Sequence, residues 1–205
     1  MGYQTNKRGN MKSRFGFILI ACVIVFGAIL FLQKKDATAP KNGESGETTS
    51  QHVKGENAKK VSLVEYGDFQ CPACGGAYVQ LKSIKEKYKG DIAFVFRNFP
   101  LTNIHPNALA SSAVAEAAGL QGKFWEMHDK LYENQDSWSS ATADQRDSIF
   151  EGYATELGLN LDQFKTDLSS KKVSEKISRD QALGRKVKVD STPGILIGTT
   201  KLSDD

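Results

Sequence analysis

Cys71 and Cys74 stand three residues apart, with Pro72 and Ala73 between them, directly after a strand-like run, Val61–Tyr66. Two thiols at this spacing can form and break a disulfide reversibly. Residues three apart in an α-helix have Cα atoms roughly 5–5.5 Å apart, inside the range that a disulfide requires. A helix starting at Cys71 turns its unpaired N–H groups and positive dipole end toward that sulfur, which favours the thiolate. Pro72 suits the first helical position, because it has no N–H to lose and its φ is already helical. On this reading Cys71 is the attacking or mixed-disulfide sulfur and Cys74 the resolving one. Two other readings stay open at this point. A zinc site needs four ligands, and outside the apolar N-terminal segment there are only these two cysteines plus His52, His105 and His128. A permanent structural disulfide is the other, although so small a ring adds little stability.

Glu65 lies six residues before Cys71, on the strand face shared with Val61 and Leu63. If that face is the core face, the carboxyl sits beneath the helix start with a raised pKa, placed to relay a proton for Cys74. The plainer alternative is an exposed glutamate at a strand end. Thr192-Pro193 precedes the apolar run Ile195–Ile197, and a proline there blocks ladder pairing and marks a special turn. The three histidines form no evident catalytic cluster, and Trp125 and Trp138 read as packing residues.

The elements that must hold these residues alternate. Val61–Tyr66 predicts a strand that Gly67-Asp68 ends. Ala77, Leu81, Ile84 and Tyr88 form one apolar stripe of a helix, with Lys82, Lys85, Glu86, Lys87 and Lys89 on its polar side. Ile92–Phe96 predicts a second strand, parallel to the first. Residues 105–186 read as helical throughout, in stretches 107–120, 123–134, 143–157 and 161–184. Strand character returns at Val187 and Val189 and again at 195–197. An α/β domain with a helical subdomain follows, and no internal repeat is present.

The net charge of +3 is unevenly spread. Residues 1–35 hold six basic groups and no acidic one, which leaves 21 basic against 24 acidic side chains in the remainder. This gives no case for nucleic-acid binding. Residues 1–14 read as a basic cytoplasmic end. Phe15–Leu32 is an uncharged apolar run whose helix would span roughly 27 Å, close to a bilayer core of about 30 Å. Its flanking charges place the rest of the chain outside the cytoplasm, where disulfides persist. A cleaved signal (Ala37-Thr-Ala39) and a lipoprotein box ending at Cys22 are weaker readings with the same consequence. Residues 33–58 are polar and read as a flexible tether, with His52 in it, and the globular domain begins at 59.

Val64-Glu-Tyr-Gly-Asp-Phe-Gln-Cys-Pro-Ala-Cys74 resembles the DsbA family of thioredoxin-like thiol–disulfide oxidoreductases. So do Phe94–Pro100, the His105–Ala108 segment entering an alanine-rich helix, and Gly122–Trp125; Ser191-Thr-Pro193 is similar to the family's cis-proline loop. The likeness covers about residues 59–202. It implies a thioredoxin-like fold over 59–205 with a helical insertion at about 105–186, here preceded by one transmembrane helix at the cell membrane. It implies Cys71 as nucleophile, Cys74 as resolving cysteine, Pro72 and Ala73 as tuners of the redox potential, and Glu65 as the buried acid. Thr192 and Pro193 would face the disulfide and pair with substrate backbone. No bound cofactor is implied beyond the redox-active disulfide. The implied partners are exported proteins with free or mispaired cysteines and a membrane redox partner for reoxidation.

Two departures qualify this. Ala73 stands where the best-known members have histidine, so Cys71 should be less acidic and the disulfide less oxidising. After Ile197 the family has another strand and a closing helix, and the short remainder here is expected to be a truncation. The expected activity is disulfide introduction into exported proteins. A reductase or isomerase on the same fold, a non-catalytic binding or chaperone-like module, and metal delivery by the two thiols are the alternatives.

Overall fold

The computed structural model describes residues 51–198 and 200–201. All of them belong to the second of the chain's two units, Met1–Glu47 and Thr48–Asp205. The apolar run 15–32, Cys22, tether residues 33–50 and the residues after 201 lie outside the described part. Within the described residues no helix is long and apolar enough to cross a membrane.

Five strands form one sheet in the order β1-β3-β2-β4-β5: β1 His52–Lys54, β2 Val61–Gly67, β3 Ile92–Asn98, β4 Gly194–Ile197 and β5 Thr200–Lys201. β2 and β3 run parallel, joined by α1 (Pro72–Lys87), while the other neighbours pair antiparallel. The helical subdomain comprises α2 (Ala108–Leu120), α3 (Phe124–Glu133), α4 (Gln135–Trp138), α5 (Ala143–Glu156) and α6 (Leu161–Leu168). α7 (Lys171–Lys186) leads back to the sheet.

Strand alternation sorts the core. Leu63, Phe94 and Phe96 share one face, and they join α1 and the helical subdomain in one apolar cluster that includes Trp138, Phe150 and Phe164. Tyr66, Phe99, Val189 and Leu196 form a second cluster, with Leu183 of α7 packed on it. Gly184 permits that approach: a Cβ there would lie 2.7 Å from the Phe99 ring and 2.9 Å from Tyr66.

Four details differ from the sequence expectation. His52 belongs to the domain rather than to a tether; it is buried in β1 and paired against Phe96. The buried stripe of α1 is Cys74, Tyr78, Leu81 and Lys85, so Lys85 lies inside and Tyr88 outside. The stretch 161–184 is two helices, because Ser170 caps a new one by accepting from the Val173 N–H. Val187 closes α7 and starts no strand.

The first of these has a physical cause. His52 stacks on Phe124 and its Nε2 lies 2.8 Å from both carboxylate oxygens of Glu116. Glu116 also accepts from the Asn98 side chain at 2.5 Å. Lys176 of α7 lies 3.5 Å from Glu116 and 2.5 Å from Asp180, both of them buried. A buried charge cluster thus fastens β1, β3, α2 and α7 together. Removing one partner of such a cluster strands the opposite charges in a low dielectric. Lys176→Met is therefore expected to destabilise the protein by about 3 kcal/mol, read as a lower urea midpoint with an unchanged slope.

Candidate active site

The chain turns at Gly67-Asp68 and enters α1 through Cys71, which is the helix N-cap with extended backbone (φ −68°, ψ 122°), and Pro72 takes the first helical position. Asp68 shapes this turn. Its buried carboxylate accepts from the Gln70 N–H at 2.8 Å, the Leu101 N–H at 2.9 Å and His105 Nδ1 at 2.7 Å. The Asp68 carbonyl accepts from the Cys71 N–H. The four residues Cys-Pro-Ala-Cys thus sit on a fixed loop at the end of β2, with Cys74 fully buried one turn into the helix.

Both cysteines are free thiols in this structure. Their environments differ in the direction the helix start dictates. Cys71 is lowered to about 5, chiefly by the hydrogen bond from the Cys74 thiol. Burial opposes this, while the Thr192 side chain and the backbone N–H groups of Cys74 and Ala73 add to it. Cys74 is pushed far up, because its S–H donates a hydrogen bond to Cys71, it is buried, and it lies near the Glu65 charge. A value of about 5 falls between those of thioredoxin, about 7, and DsbA, about 3.5.

The Thr192–Pro193 peptide bond is cis, and the Cys71 thiol donates to the Thr192 carbonyl across 3.5 Å. Thr192 Oγ1 is buried without a partner. When Cys71 ionises, that hydroxyl has a thiolate to donate to, so the geometry of the thiol form and the lowered pKa are compatible.

Glu65 is only 2% exposed, beneath the helix, and one of its oxygens has no partner. Burial raises it to about 7, against the pull of the Lys85 charge. Lys85 reaches this region from α1. Its ammonium lies 4.4 Å from the centre of the Phe94 ring and 5.2 Å from that of Trp125, and burial lowers its pKa. Cation–π contact stands in for part of the lost hydration.

The structure thus brings Cys71, Cys74, Pro72, Ala73, Glu65, Thr192 and Pro193 to one place. Sequence reasoning put Lys85 on the polar side of the helix and gave it no part in the site, although its 4-3-4 spacing with Cys74, Tyr78 and Leu81 was a usable signal. It also gave no role to Tyr132, whose unpartnered hydroxyl lies 2.9 Å from where a Gly67 Cβ would be. Asp68 and His105 were visible only as parts of motifs. Among the described residues no three His, Cys, Asp or Glu side chains converge as metal ligands.

The thioredoxin family's sequence profile matches residues 47–205. The chain is 34% identical to "Probable disulfide bond formation protein D" of Bacillus cereus, over 97% of this chain and 93% of that protein. It is 37% identical to "Na(+)/H(+) antiporter NhaA 1" of Salinispora arenicola over 146 residues, which is 71% of this chain but 21% of the antiporter. The chain therefore spans about a fifth of that relative, most of which has no counterpart here. In fold it is similar to oxidised BdbD from Bacillus subtilis, with a TM-score of 0.66, 21% identity, and coverage of 75% of this chain and 84% of that one.

Two titrations test the electrostatics. In the reduced protein the ultraviolet thiolate signal should rise with a midpoint near about 5 and account for one sulfur of the Cys71–Cys74 pair, and alkylation at neutral pH should label Cys71 and not Cys74. A midpoint at the ordinary thiol value, about 8.5, would contradict the asymmetry. For Glu65 the folded pKa lies above the unfolded one, so folding takes up a proton. Its contribution to stability is complete below about 4.5 and declines as pH rises through about 7. Glu65→Gln should remove that decline, so its urea midpoint gains on the native protein's between these two values and the gain stays level above them.

Proposed function

The chain belongs to the thioredoxin family and, within it, to the DsbA-type thiol–disulfide oxidoreductases; on that premise we propose that it is a membrane-anchored dithiol oxidase working outside the cytoplasm, where it introduces disulfides into exported proteins. The observation that carries this reading is the placement of the two sulfurs, Cys71 at the helix N-cap, where the helix start and the Cys74 thiol favour its thiolate, and Cys74 buried one turn in, where its proton is retained.

That split between the two sulfurs supports the oxidising direction. Stabilising the Cys71 thiolate stabilises the reduced enzyme, and a disulfide whose reduced form is stabilised is an oxidant. The Bacillus cereus relative is itself named for disulfide formation. Location rests on the sequence: an uncharged run at 15–32, basic residues before it, and an oxidising environment beyond the membrane.

In the proposed exchange a substrate thiolate attacks Cys71 Sγ of the Cys71–Cys74 disulfide. The S–S bond breaks, its electron pair goes to Cys74 Sγ, and the substrate is held to Cys71 in a mixed disulfide. Glu65, near neutrality in its pKa, supplies the proton that buried Cys74 requires. A second substrate thiolate then attacks the substrate's own sulfur in the mixed disulfide. Cys71 leaves as the stabilised thiolate, the substrate departs with a new disulfide, and the enzyme has gained two electrons. A membrane redox partner removes those electrons. Thr192 and Pro193, beside Cys71, form the rim against which substrate backbone lies. Ala73 contributes a backbone N–H to the thiolate and no side-chain charge, so the site is a milder oxidant than one with an imidazole there.

Equilibration of the purified protein with glutathione buffers should give a potential above about −230 mV, toward the −120 mV or so of DsbA. A value near about −270 mV, where thioredoxin sits, would make it a reductant. Cys74→Ala should accumulate mixed disulfides with exported proteins and Cys71→Ser should accumulate none; equal trapping by both would reverse or void the role assignment.

A further inference from the structure

We infer that Gln135 is a positioning residue for exchange at Cys71: its side-chain amide ties the carbonyls of Phe69 and Cys71, at the entry to the redox helix, to the helical subdomain and holds the N-cap sulfur in register with the helix start. The inference rests on the thiol-exchange reading of Cys71 and adds a residue to its machinery.

Gln135 opens the four-residue helix α4, far along the chain from the cysteines. Its Nε2 donates to the Phe69 carbonyl at 2.7 Å and to the Cys71 carbonyl at 2.9 Å. The same Cys71 carbonyl accepts from the Gly75 N–H at 3.1 Å, as the first bond of α1. One carboxamide NH₂ group thus uses both of its hydrogens on the short segment that carries the nucleophilic sulfur. The Oε1 of Gln135 faces α1 so closely that a Cβ on Gly75 would lie 2.5 Å from it. Gly75 is an ordinary helical residue, and a side chain there would have to displace the end of Gln135.

The strut is itself braced. The Gln70 side chain donates to the Ser139 carbonyl at 2.7 Å, and Asn107 donates to the carbonyls of Ser139 and Ala141. The segment after Gln135 is therefore fixed to the same turn. The Cys71 carbonyl is set by the Cys71 ψ angle, which also decides where Sγ sits relative to the Ala73 and Cys74 N–H groups. Without the amide, that carbonyl loses a partner and keeps only its helical bond from the Gly75 N–H. The helical insertion then acts on the chemistry without touching a sulfur.

A double-mutant cycle tests this, with Gln135→Ala, Gly75→Ala and the pair, read by thiolate titration of Cys71, by the exchange equilibrium with glutathione, and by Tm. Gln135→Ala should raise the Cys71 pKa by about one unit and weaken the disulfide as an oxidant up to about tenfold. Gly75→Ala should do the same in the native background, by displacing Gln135, and should add nothing in the Gln135→Ala background, where the space is free. A merely structural role predicts the opposite pattern for Gly75→Ala: a helix-favouring change that raises or keeps Tm and leaves the pKa still. Gln135→Met, which keeps volume and lacks the donor, carries the same expectation should Gln135→Ala not fold. An unmoved Cys71 pKa in the Gln135 variants, or additive shifts in the pair, would overturn the inference. Failure of the native protein itself to exchange with glutathione would instead overturn the exchange reading, and the pKa cycle would still judge the strut.

Discussion

Everything at the redox site depends on where α1 begins. Placing the N-cap at Cys71 leaves the first N–H groups of the helix with no carbonyl ahead of them, and the sulfur is the acceptor they find. A start one residue later would bury the sulfur's neighbour instead and leave Cys71 as a loop thiol. The start is set by local chemistry on both sides. Pro72 cannot continue a helix backward with an N–H bond, and the Asp68 carboxylate consumes the N–H groups of Gln70 and Leu101 that would let the turn wander. The lowered Cys71 pKa and the raised Cys74 pKa are two views of one shared proton in this geometry.

The second requirement is a buried charge store that does not collapse the core. Glu65 and Lys85 are both inside, and each moves the other toward its charged form while burial moves both toward neutrality. The aromatic rings around Lys85 make its burial tolerable without spending the Glu65 carboxyl in a direct salt bridge. That matters chemically, because a carboxylate locked onto an ammonium would stay ionised and would have no proton to deliver. The free oxygen of Glu65 is consistent with a group kept available.

Much of this site was legible in the residues. The Cys-Pro-Ala-Cys run, the strand before it and the apolar stripe after it point to a redox helix start, because caps and periodicity are local. Glu65 was legible only conditionally: period-two alternation put it on the face of Val61 and Leu63 without saying that this face was the core face. Lys85 was read as solvent-facing because charge suggested exposure, and the rings of Phe94 and Trp125 that shelter it belong to other elements, β3 and α3. His52 was lost for a similar reason. Its surroundings in the sequence are polar, and its partners, Glu116 and Phe124, appear only once α2 and α3 fold back beside β3. Gln135 had no local signal at all, since an amide in a polar helix start is ordinary until its two carbonyl partners are known.

β1 carries a consequence of a different kind. It is the point where the described chain enters the sheet, three residues long, zipped antiparallel to β3 and pinned by His52 to Glu116. A pull applied to the chain ahead of β1 would be taken up first by this short ladder and by the charge cluster behind it. β2, which leads directly into Cys71, lies on the far side of β3 from that attachment. The layout is that of a strain relief on a cable: the pull ends on a reinforced edge, and the working contact downstream keeps its alignment.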